Sequence, residues 1–352
     1  MRAIDAKFEA QRIVFAPFVF QSTFAMRELG ILETISKAGS GGISISEISK
    51  ECGIWEYGVQ VLAEFGISTG ILKLVCEDEP LKYALGKIAF FILQDEMTRV
   101  NMDFMQDVCY DGAKFLKDSI KNKKPEGLKV FGKWNTIYEA LSELPPQVQK
   151  SWFAFDHFYS DIAFPEALPI MFRNPPRKLV DIGGNTAKWA IACCKYNADV
   201  QVIIADLPGQ ISVAKRNVEN AGFSERIQFC ETNILSENPK LPADADAVWM
   251  SQFLDCFSLE EISGIMKNIG VAMPHADFFV LEPMYDMQKF EAASYSLRAT
   301  SLYFTCMANG NSKMYRFAEL MNTIEAAGFV LQESHHNLGA NSYSLLRFRK
   351  AG

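Results

Sequence analysis

The chain has 352 residues, 49% of them hydrophobic and 22% charged, with 35 Lys+Arg against 42 Asp+Glu and a formal charge of −7. These proportions exclude a disordered, collagenous or disulfide-stapled chain, and an acidic total without a long Lys/Arg run argues against nucleic-acid or anionic-lipid partners. A length beyond the ~250–300 residues at which single cores stop growing predicts more than one domain.

The first stretch, MRAIDAKFEAQRIVFAPFVFQ, mixes charges with apolar residues and lacks a small-residue cleavage site, so it is expected to belong to the fold rather than to a signal peptide. No run of about 18 uncharged apolar residues predicts a membrane span. The eight cysteines, Cys52, Cys76, Cys109, Cys193, Cys194, Cys230, Cys256 and Cys306, form no C-x-x-C pair and no metal-ligand spacing. They are expected to be reduced thiols of a cytoplasmic protein with no bound metal.

Residues 8–36 place Phe15, Phe18, Phe24, Met26, Leu29, Ile31, Leu32 and Ile35 at helical spacings. That is too much apolar surface for one stripe, and a second copy of the chain is the simplest partner for the rest. After the break at Gly39-Ser40-Gly41-Gly42, Ser44-Ile45-Ser46-Glu47 predicts a capping box opening a helix through about Cys52, closed by Gly53. A helix from Trp55 to Phe65 and a β wing from Gly66 to Leu74, with the acidic turn Glu77-Asp78-Glu79-Pro80, complete a winged helix-turn-helix outline. Its second helix has no Arg or Lys. Phosphate neutralisation supplies most of a DNA binder's affinity, so packing or dimerisation is the expected role. The Lys-rich run Lys117–Lys133 is expected to be a solvated linker, followed by a helix ending at Leu144-Pro145-Pro146 and a helical stretch from Gln147 to about Phe172.

From Lys178 the pattern alternates. Strands are expected at Leu179–Ile182, Val200–Ile204, Arg226–Cys230, Ala245–Met250 and Phe278–Leu281, with helices at Thr186–Tyr196, Ile211–Ala221, Leu259–Ile269 and Phe317–Ala327. Val330–Asn337 and Ser342–Arg349, joined by Gly339-Ala340-Asn341, must pair antiparallel, since a parallel crossover needs a dozen residues or more. The expected fold class is therefore α/β: a doubly wound, Rossmann-like sheet closed by a C-terminal antiparallel hairpin and preceded by a mainly helical winged-helix region.

Asp181-Ile182-Gly183-Gly184-Asn185-Thr186-Ala187 is the strongest chemical signal, because glycines just past a strand let a ligand approach the backbone where such sheets bind. It is not the G-x-G-x-x-G of dinucleotide folds. Asp206 ends the second strand, where a carboxylate can accept both ribose hydroxyls; its other reading is a helix N-cap before Pro208.

With those motifs the chain resembles class I S-adenosylmethionine-dependent O-methyltransferases of the small-molecule type, similar to plant caffeate-type and animal hydroxyindole O-methyltransferases. The resemblance rests on Leu179-Val180-Asp181-Ile182-Gly183-Gly184, Ala205-Asp206-Leu207-Pro208 and Ala326-Ala327-Gly328-Phe329. It implies a homodimer with a helical, winged-helix dimerisation domain at 1–110, a helical linker at 111–172 contributing to the acceptor pocket, and the methyltransferase domain at 173–352. The cofactor it implies is S-adenosyl-L-methionine, with Asp181, Gly183 and Gly184 along the methionine and ribose end, Asp206 at the ribose, Asn233 beside the adenine, and Leu207, Ser251, Phe155 and Tyr159 also at the cofactor. Asn185 and Ala187 stand where the family has glycines.

The family's catalytic His falls, by the same resemblance, on Asp255 in Leu254-Asp255-Cys256-Phe257-Ser258, its second acid on Glu282 and its third on Met314. Two carboxylates facing one pocket raise one another's pKa, which makes Asp255 a plausible base and Glu282 its orienting partner. The competing role for Asp255 is a helix-start residue ahead of the Ser258-x-x-Glu261 capping box. Of the histidines, His157 lies on the helix before the cofactor domain, His275 in a turn, and His335 and His336 in the terminal hairpin. The expected activity is O-methylation of a small, aromatic, hydroxylated acceptor lined by Phe155, Tyr159, Phe253, Phe257, Tyr303, Phe304 and Met307, without nucleic-acid or membrane partners. The alternatives are a cofactor-binding protein with altered or lost transfer, and a ligand-sensing winged-helix transcription factor.

Overall fold

The computed structural model describes residues 1–76, 78 and 80–351, and the chain divides into two units, Met1–Asp103 and Phe104–Gly352. In the first, the expected helical stretch is three helices: α1 (Ala3–Val14), α2 (Ala16–Glu28) and α3 (Ile31–Ala38). Pro17 in the first turn of α2 cannot continue α1, because its ring occupies the space of the preceding turn's carbonyl. Gly30, at φ +75°, supplies the left-handed residue between α2 and α3. Met26, Ile31, Leu32 and Ile35 are buried, whereas Phe8, Ile13, Phe15 and Phe18 of the same stretch are exposed within the chain.

The capping box forms as expected: Glu47 N–H donates to Ser44 Oγ (3.4 Å), Ser44 N–H donates to Glu47 Oε2 (2.9 Å), and α4 (Ile45–Cys52) runs to Gly53 at φ +67°. Helix α5 (Glu56–Ser68) and the antiparallel pair β1 (Leu72–Cys76) and β2 (Lys82–Leu85) complete the winged outline. Glu77 and Glu79 of the acidic turn lie outside the described residues. Ser44→Ala removes a cap worth about 1 kcal/mol. The expected result is roughly fivefold faster native-state hydrogen exchange of the α4 amides, with no change in amides of the second unit. Helices α6 (Lys87–Gln94) and α7 (Glu96–Phe104) follow.

The second unit opens on a π-helical turn, Met105–Cys109, then α8 (Tyr110–Ala113), α9 (Leu116–Asn122) and a 3₁₀ turn, Glu126–Val130. The Lys-rich run is thus not a solvated loop. Its lysines point outward, but Ser119, Gly127 and Leu128 are buried, and a Cβ at Gly127 would stand 2.8 Å from the Cys306 carbonyl oxygen. The charge pattern describes one face of this segment, and its small residues describe the other. Helices α10 (Ile137–Ala140), α11 (Pro146–Asp161) and α12 (Phe164–Met171) lead to the sheet.

There the elements follow in the order β3 (Lys178–Ile182), α13 (Lys188–Tyr196), β4 (Gln201–Asp206), α14 (Pro208–Ala221), β5 (Ile227–Glu231), β6 (Ala247–Ser251), α15 (Leu259–Ala272), β7 (Asp277–Glu282), α16 (Glu291–Tyr303), α17 (Phe317–Ala326), β8 (Phe329–Leu338) and β9 (Tyr343–Lys350), and all but α16 answer to the sequence expectation. The strand order is β5-β4-β3-β6-β7-β9-β8, parallel except for β9, which pairs antiparallel with β7 and β8. Helix α16, continued by a π-helical turn at Phe304–Ala308, has no counterpart among the expected elements.

Two apolar layers bury the sheet. Val180, Val248, Val280 and Phe278 pack under α15 and α17 on one face, and on the other Trp189 of α13 stacks on Trp249 of β6 with ring centroids 3.7 Å apart. Strands β4 and β6 flank β3 on opposite sides, so the chain reverses its winding direction there. A sheet wound in both directions leaves a crevice beyond the carboxyl ends of the strands at that point.

Candidate active site

A cavity of about 480 Å³ opens at that crevice. It is large enough for a nucleoside-sized ligand with a second small molecule beside it. One end is lined by Asp181, Gly183, Gly184, Asn185, Asp206, Leu207, Asn233 and Ser251; the other by Tyr138, Trp152, Phe155, Asp156, Asp255, Cys256, Tyr303 and Met314. Of the residues assigned from sequence, Glu282, Tyr159 and Met307 are not among those lining it; Met307 packs instead against Gly112 and Gly127. Tyr159 is buried behind Phe155 (centroids 4.8 Å apart), so the same helix face that presents Phe155 turns Tyr159 inward.

The glycine turn is shaped by close approach. Gly183 sits at φ +72°, and a Cβ there would collide with the Phe253 ring; a Cβ on Gly184 would stand 2.8 Å from Asp181 Oδ2. Asn185 (φ +47°) and Ala187 (φ +70°) keep glycine-like backbone despite having side chains. Asp206 holds this loop, its Oδ2 accepting from Asn185 N–H (2.8 Å) and its Oδ1 from Leu207 N–H (2.7 Å). It does not cap α14, whose N-cap is Leu207, so the second lone pairs of both oxygens stay open to the cavity. Asn233 Oδ1 accepts from Leu235 N–H (3.0 Å), an Asx turn that leaves its amide N–H groups and the second lone pair of Oδ1 for a ligand.

Buried polar atoms without partners mark what the cavity is built to receive. Asp181 Oδ2, Asn185 Oδ1, Thr232 Oγ1, Ser251 Oγ and Gln252 Oε1 are all orphaned, and all belong to residues that line the cavity. An unsatisfied buried acceptor costs about 1–3 kcal/mol, so a cluster of them at one end points to a ligand rich in donors. A nucleoside carrying ribose hydroxyls, an exocyclic amine and an ammonium fits that donor demand, and the glycine cradle admits it close to the backbone.

The other end is acidic and aromatic. Asp255 is 5% exposed, in the 3₁₀ turn Leu254–Cys256. Burial raises its pKa to about 7, opposed by hydrogen bonds from Cys256 and nearby backbone. The Ser258 capping box also forms, so Asp255 both precedes a helix and faces the cavity. Glu282 Oε1 accepts from Phe253 N–H (3.0 Å) and Leu254 N–H (2.8 Å), fixing the backbone that carries Asp255; burial and then Asp255's charge push Glu282 well up.

Asp156, Asn185, Tyr138 and Trp152 were not singled out as binding residues from sequence. The signal for Asp156 was its place in Phe155–Asp161, one turn from Trp152 on α11. Trp152 Nε1 donates to Tyr303 Oη (2.8 Å), leaving that hydroxyl's own proton for another acceptor. His157 is held below its usual range, near 4, by burial and Lys188, and its Nε2 lies 3.2 Å from Thr186 Oγ1. Met314 is buried against the cavity and offers no acid. His335 contacts Glu333 (2.7 Å) and His336 Nδ1 contacts Ser344 Oγ (2.8 Å), both in the hairpin. Among the described residues no cluster of three or more His, Cys, Asp or Glu could hold a metal ion, and no helix is long and apolar enough to cross a membrane.

The buried acids have a consequence for stability. Burial lifts Asp181 to about 8, Asp156 to about 7 and Asp206 to about 6. Unfolded carboxyls ionise above ~3.9, so between that pH and about 8 the folded chain binds more protons than the unfolded one, and stability falls as pH rises. The ligand-free protein should lose stability from pH 5 to pH 8, at a slope of up to about 1.4 kcal/mol per pH unit for each such group. Asp181→Asn should stabilise at pH 8 and make no difference at pH 4; equal effects at both would exclude the buried carboxyl as the source.

Comparison with known proteins gives a consistent picture. Residues 114–330 match the model of an O-methyltransferase domain, and residues 7–79 that of a Dimerisation2-like domain. An L-tyrosine C(3)-methyltransferase of Streptomyces lavendulae is 23% identical over 322 residues, covering 90% of this chain and 85% of that protein. The mitomycin 7-O-methyltransferase MmcR superposes with a TM-score of 0.73 at 15% identity, covering 99% of this chain and 98% of that one. Human N-acetylserotonin methyltransferase in complex with S-adenosylmethionine superposes with a TM-score of 0.67 at 16% identity, covering 99% and 98%.

Proposed function

The chain belongs to the O-methyltransferase domain family and is an S-adenosylmethionine-dependent methyltransferase; from that premise we propose that it methylates the oxygen of a small aromatic hydroxyl, with Asp255 as the base. When bound, the cofactor supplies an electrophilic methyl group on a sulfonium. Gly183 and Gly184 admit it to the backbone, Asp181 and Ser251 offer it unpaired acceptors, Asp206 takes the ribose hydroxyls and Asn233 the adenine edge. Leu207 and Phe155 pack on its apolar faces, and Tyr159 supports Phe155 from behind.

Asp255 would remove the acceptor's proton. Against a phenol of pKa ~10, an ordinary aspartate with pKa ~3.9 faces an unfavourable proton transfer of about 8 kcal/mol, and one lifted to about 7 faces about 4 kcal/mol. Glu282 positions Asp255 through the backbone of Phe253 and Leu254. Tyr138, Trp152, Phe155, Tyr303, Phe304 and Phe257 form flat walls that suit an aromatic ring and exclude water. The observation that carries this reading is a buried, cavity-facing carboxylate on the same cavity as the glycine turn and Asp206.

A second reading, methylation of a ring carbon, is favoured by the match to a tyrosine C(3)-methyltransferase across 90% of the chain. A phenolate shares its charge with its ortho carbons, so the same base serves, and the atom placed in line with the methyl group decides the product. Release of S-adenosylhomocysteine across a panel of hydroxyarenes tests transfer, and NMR of the product separates a methoxy from an aryl-methyl group. Folded, cofactor-bound protein that is silent with every hydroxyarene would sink both.

Residues 1–110 would pair with a second copy, supported by the match to a Dimerisation2-like domain and by exposed Phe8, Ile13, Phe15 and Phe18. Residues 111–172 would contribute acceptor-side walls and 173–352 the cofactor cradle. A cytoplasmic location is supported by the eight free thiols, which suit a reducing compartment.

A further inference from the structure

Asn185 joins three walls of the cavity. Its backbone N–H donates to Asp206 Oδ2 (2.8 Å), its side-chain Nδ2 donates to Asp156 Oδ2 (2.8 Å) across the cleft on α11, and its Oδ1 is buried with no partner. It does this at φ +47°, a backbone region that glycine occupies at no cost and asparagine tolerates best among residues with side chains. The resembling family has glycine here, so the side chain is an addition of this chain, placed at some backbone expense. Because a carboxylate oxygen faces Nδ2, the amide cannot turn its oxygen that way, and Oδ1 is held toward the interior of the site.

Asp156 is in a matching position. Its nearest ring nitrogen, His157 Nδ1, is 3.9 Å away on a histidine kept neutral, and the lysine lining the cavity, Lys188, is bonded to Asp161. An unpartnered amide oxygen beside a carboxylate without a paired cation asks for one ligand group that is both donor and cation. Of the donors on a sulfonium nucleoside, the ribose hydroxyls and the adenine amine are taken by Asp206 and Asn233 in the reading above. The α-ammonium of the methionine arm remains.

We propose that Asn185 Oδ1 and the Asp156 carboxylate together bind the α-ammonium of the cofactor, so that the Asn185–Asp156 bridge is a cofactor-binding device of this chain. It rests on the reading that this cleft holds S-adenosylmethionine. Binding of the amino-acid arm then ties the glycine loop to α11, and the bridge places α11, with Phe155 one residue away, over the ligand.

Calorimetry on the full chain tests it with three ligands: S-adenosylhomocysteine, with the whole amino-acid arm; S-adenosyl-3-thiopropylamine, which keeps the amine and lacks the carboxylate; and 5′-methylthioadenosine, which lacks both. Asn185→Gly, which restores the residue that the backbone prefers, and Asp156→Asn, which keeps the side-chain shape and removes the charge, should each weaken the first two ligands at least tenfold. 5′-Methylthioadenosine should change less than twofold in both variants, and its binding confirms that each is folded. Equal losses for all three ligands would mean that the bridge only shapes the loop, and a loss confined to S-adenosylhomocysteine would assign the contact to the carboxylate; either overturns the proposal. Failure of the unaltered protein to bind any of the three overturns the cofactor reading beneath it.

Discussion

Asp255→Asn should lower kcat/KM for the methyl acceptor by at least about a hundredfold while leaving the affinity for S-adenosylhomocysteine within twofold. General-base catalysis by a positioned side chain contributes ~10²–10⁴, and the substitution keeps the shape of a side chain that is 5% exposed while removing its basicity. The pH profile gives a second readout. In the unaltered protein kcat/KM should rise through an inflection near pH 7, where the buried carboxyl loses its proton. In the variant that limb should vanish, and the residual activity should climb only as the phenol itself ionises, toward pH 10. Glu282→Gln should behave differently. Its two acceptor bonds to Phe253 and Leu254 hold the turn that carries Asp255, and the amide oxygen of Gln can still accept them, so a smaller loss of turnover with the inflection moved is expected rather than abolished. If Asp255→Asn turned over acceptor at the rate of the unaltered protein, the carboxylate would be a helix-start residue alone and the base would have to be sought elsewhere in the cleft.

How far the site was legible from sequence follows from what periodicity encodes. The alternation of β3 to β7 with their helices, the glycine turn and the strand-end acid are local patterns, and each survives in the structure within a few residues. The same holds for Ser44 and Ser258, whose capping boxes are fixed by a three-residue spacing. What sequence did not show are pairings across the cleft. Asn185 and Asp156 are 29 residues apart on elements with no shared pattern, and an acid on a helix has no spacing that says which wall it faces. Periodicity placed Phe155 and Tyr159 together on α11; only packing decided that Phe155 meets the cavity and Tyr159 backs it. Helix α16 went unseen for a related reason. Its sequence, EAASYSLRATSLY, is mostly small and polar, and its buried residues, Ser294, Leu297, Thr300 and Tyr303, become a face only when the second unit is assembled around it.

Asp206→Asn should weaken S-adenosylhomocysteine by about ten- to a hundredfold. The carboxylate already accepts Asn185 N–H on one oxygen and Leu207 N–H on the other, at 2.8 and 2.7 Å, and the two ribose hydroxyls would complete its four acceptor positions. An asparagine has a single oxygen. Whichever way the amide is turned, its NH2 group faces one backbone N–H and the ribose hydroxyl that shared that oxygen, so the loop and the ligand each lose an acceptor. A hydrogen bond to a charged group is worth about 1.5–3 kcal/mol, and the one the ligand loses corresponds to roughly one to two decades in affinity; the loop's lost bond weakens free and bound protein alike. The loss should extend to 5′-methylthioadenosine, which has the same ribose, and that distinguishes Asp206 from the Asn185–Asp156 pair, whose variants should leave that ligand unchanged. The substitution should also flatten the pH dependence of the ligand-free protein's stability between pH 4 and pH 8, because burial holds this carboxyl at about 6 and its ionisation there opposes folding. A variant whose stability no longer falls with rising pH through this group, and which binds the nucleoside much more weakly, would show that this buried acid is kept for the ligand at a cost to the fold above pH 6.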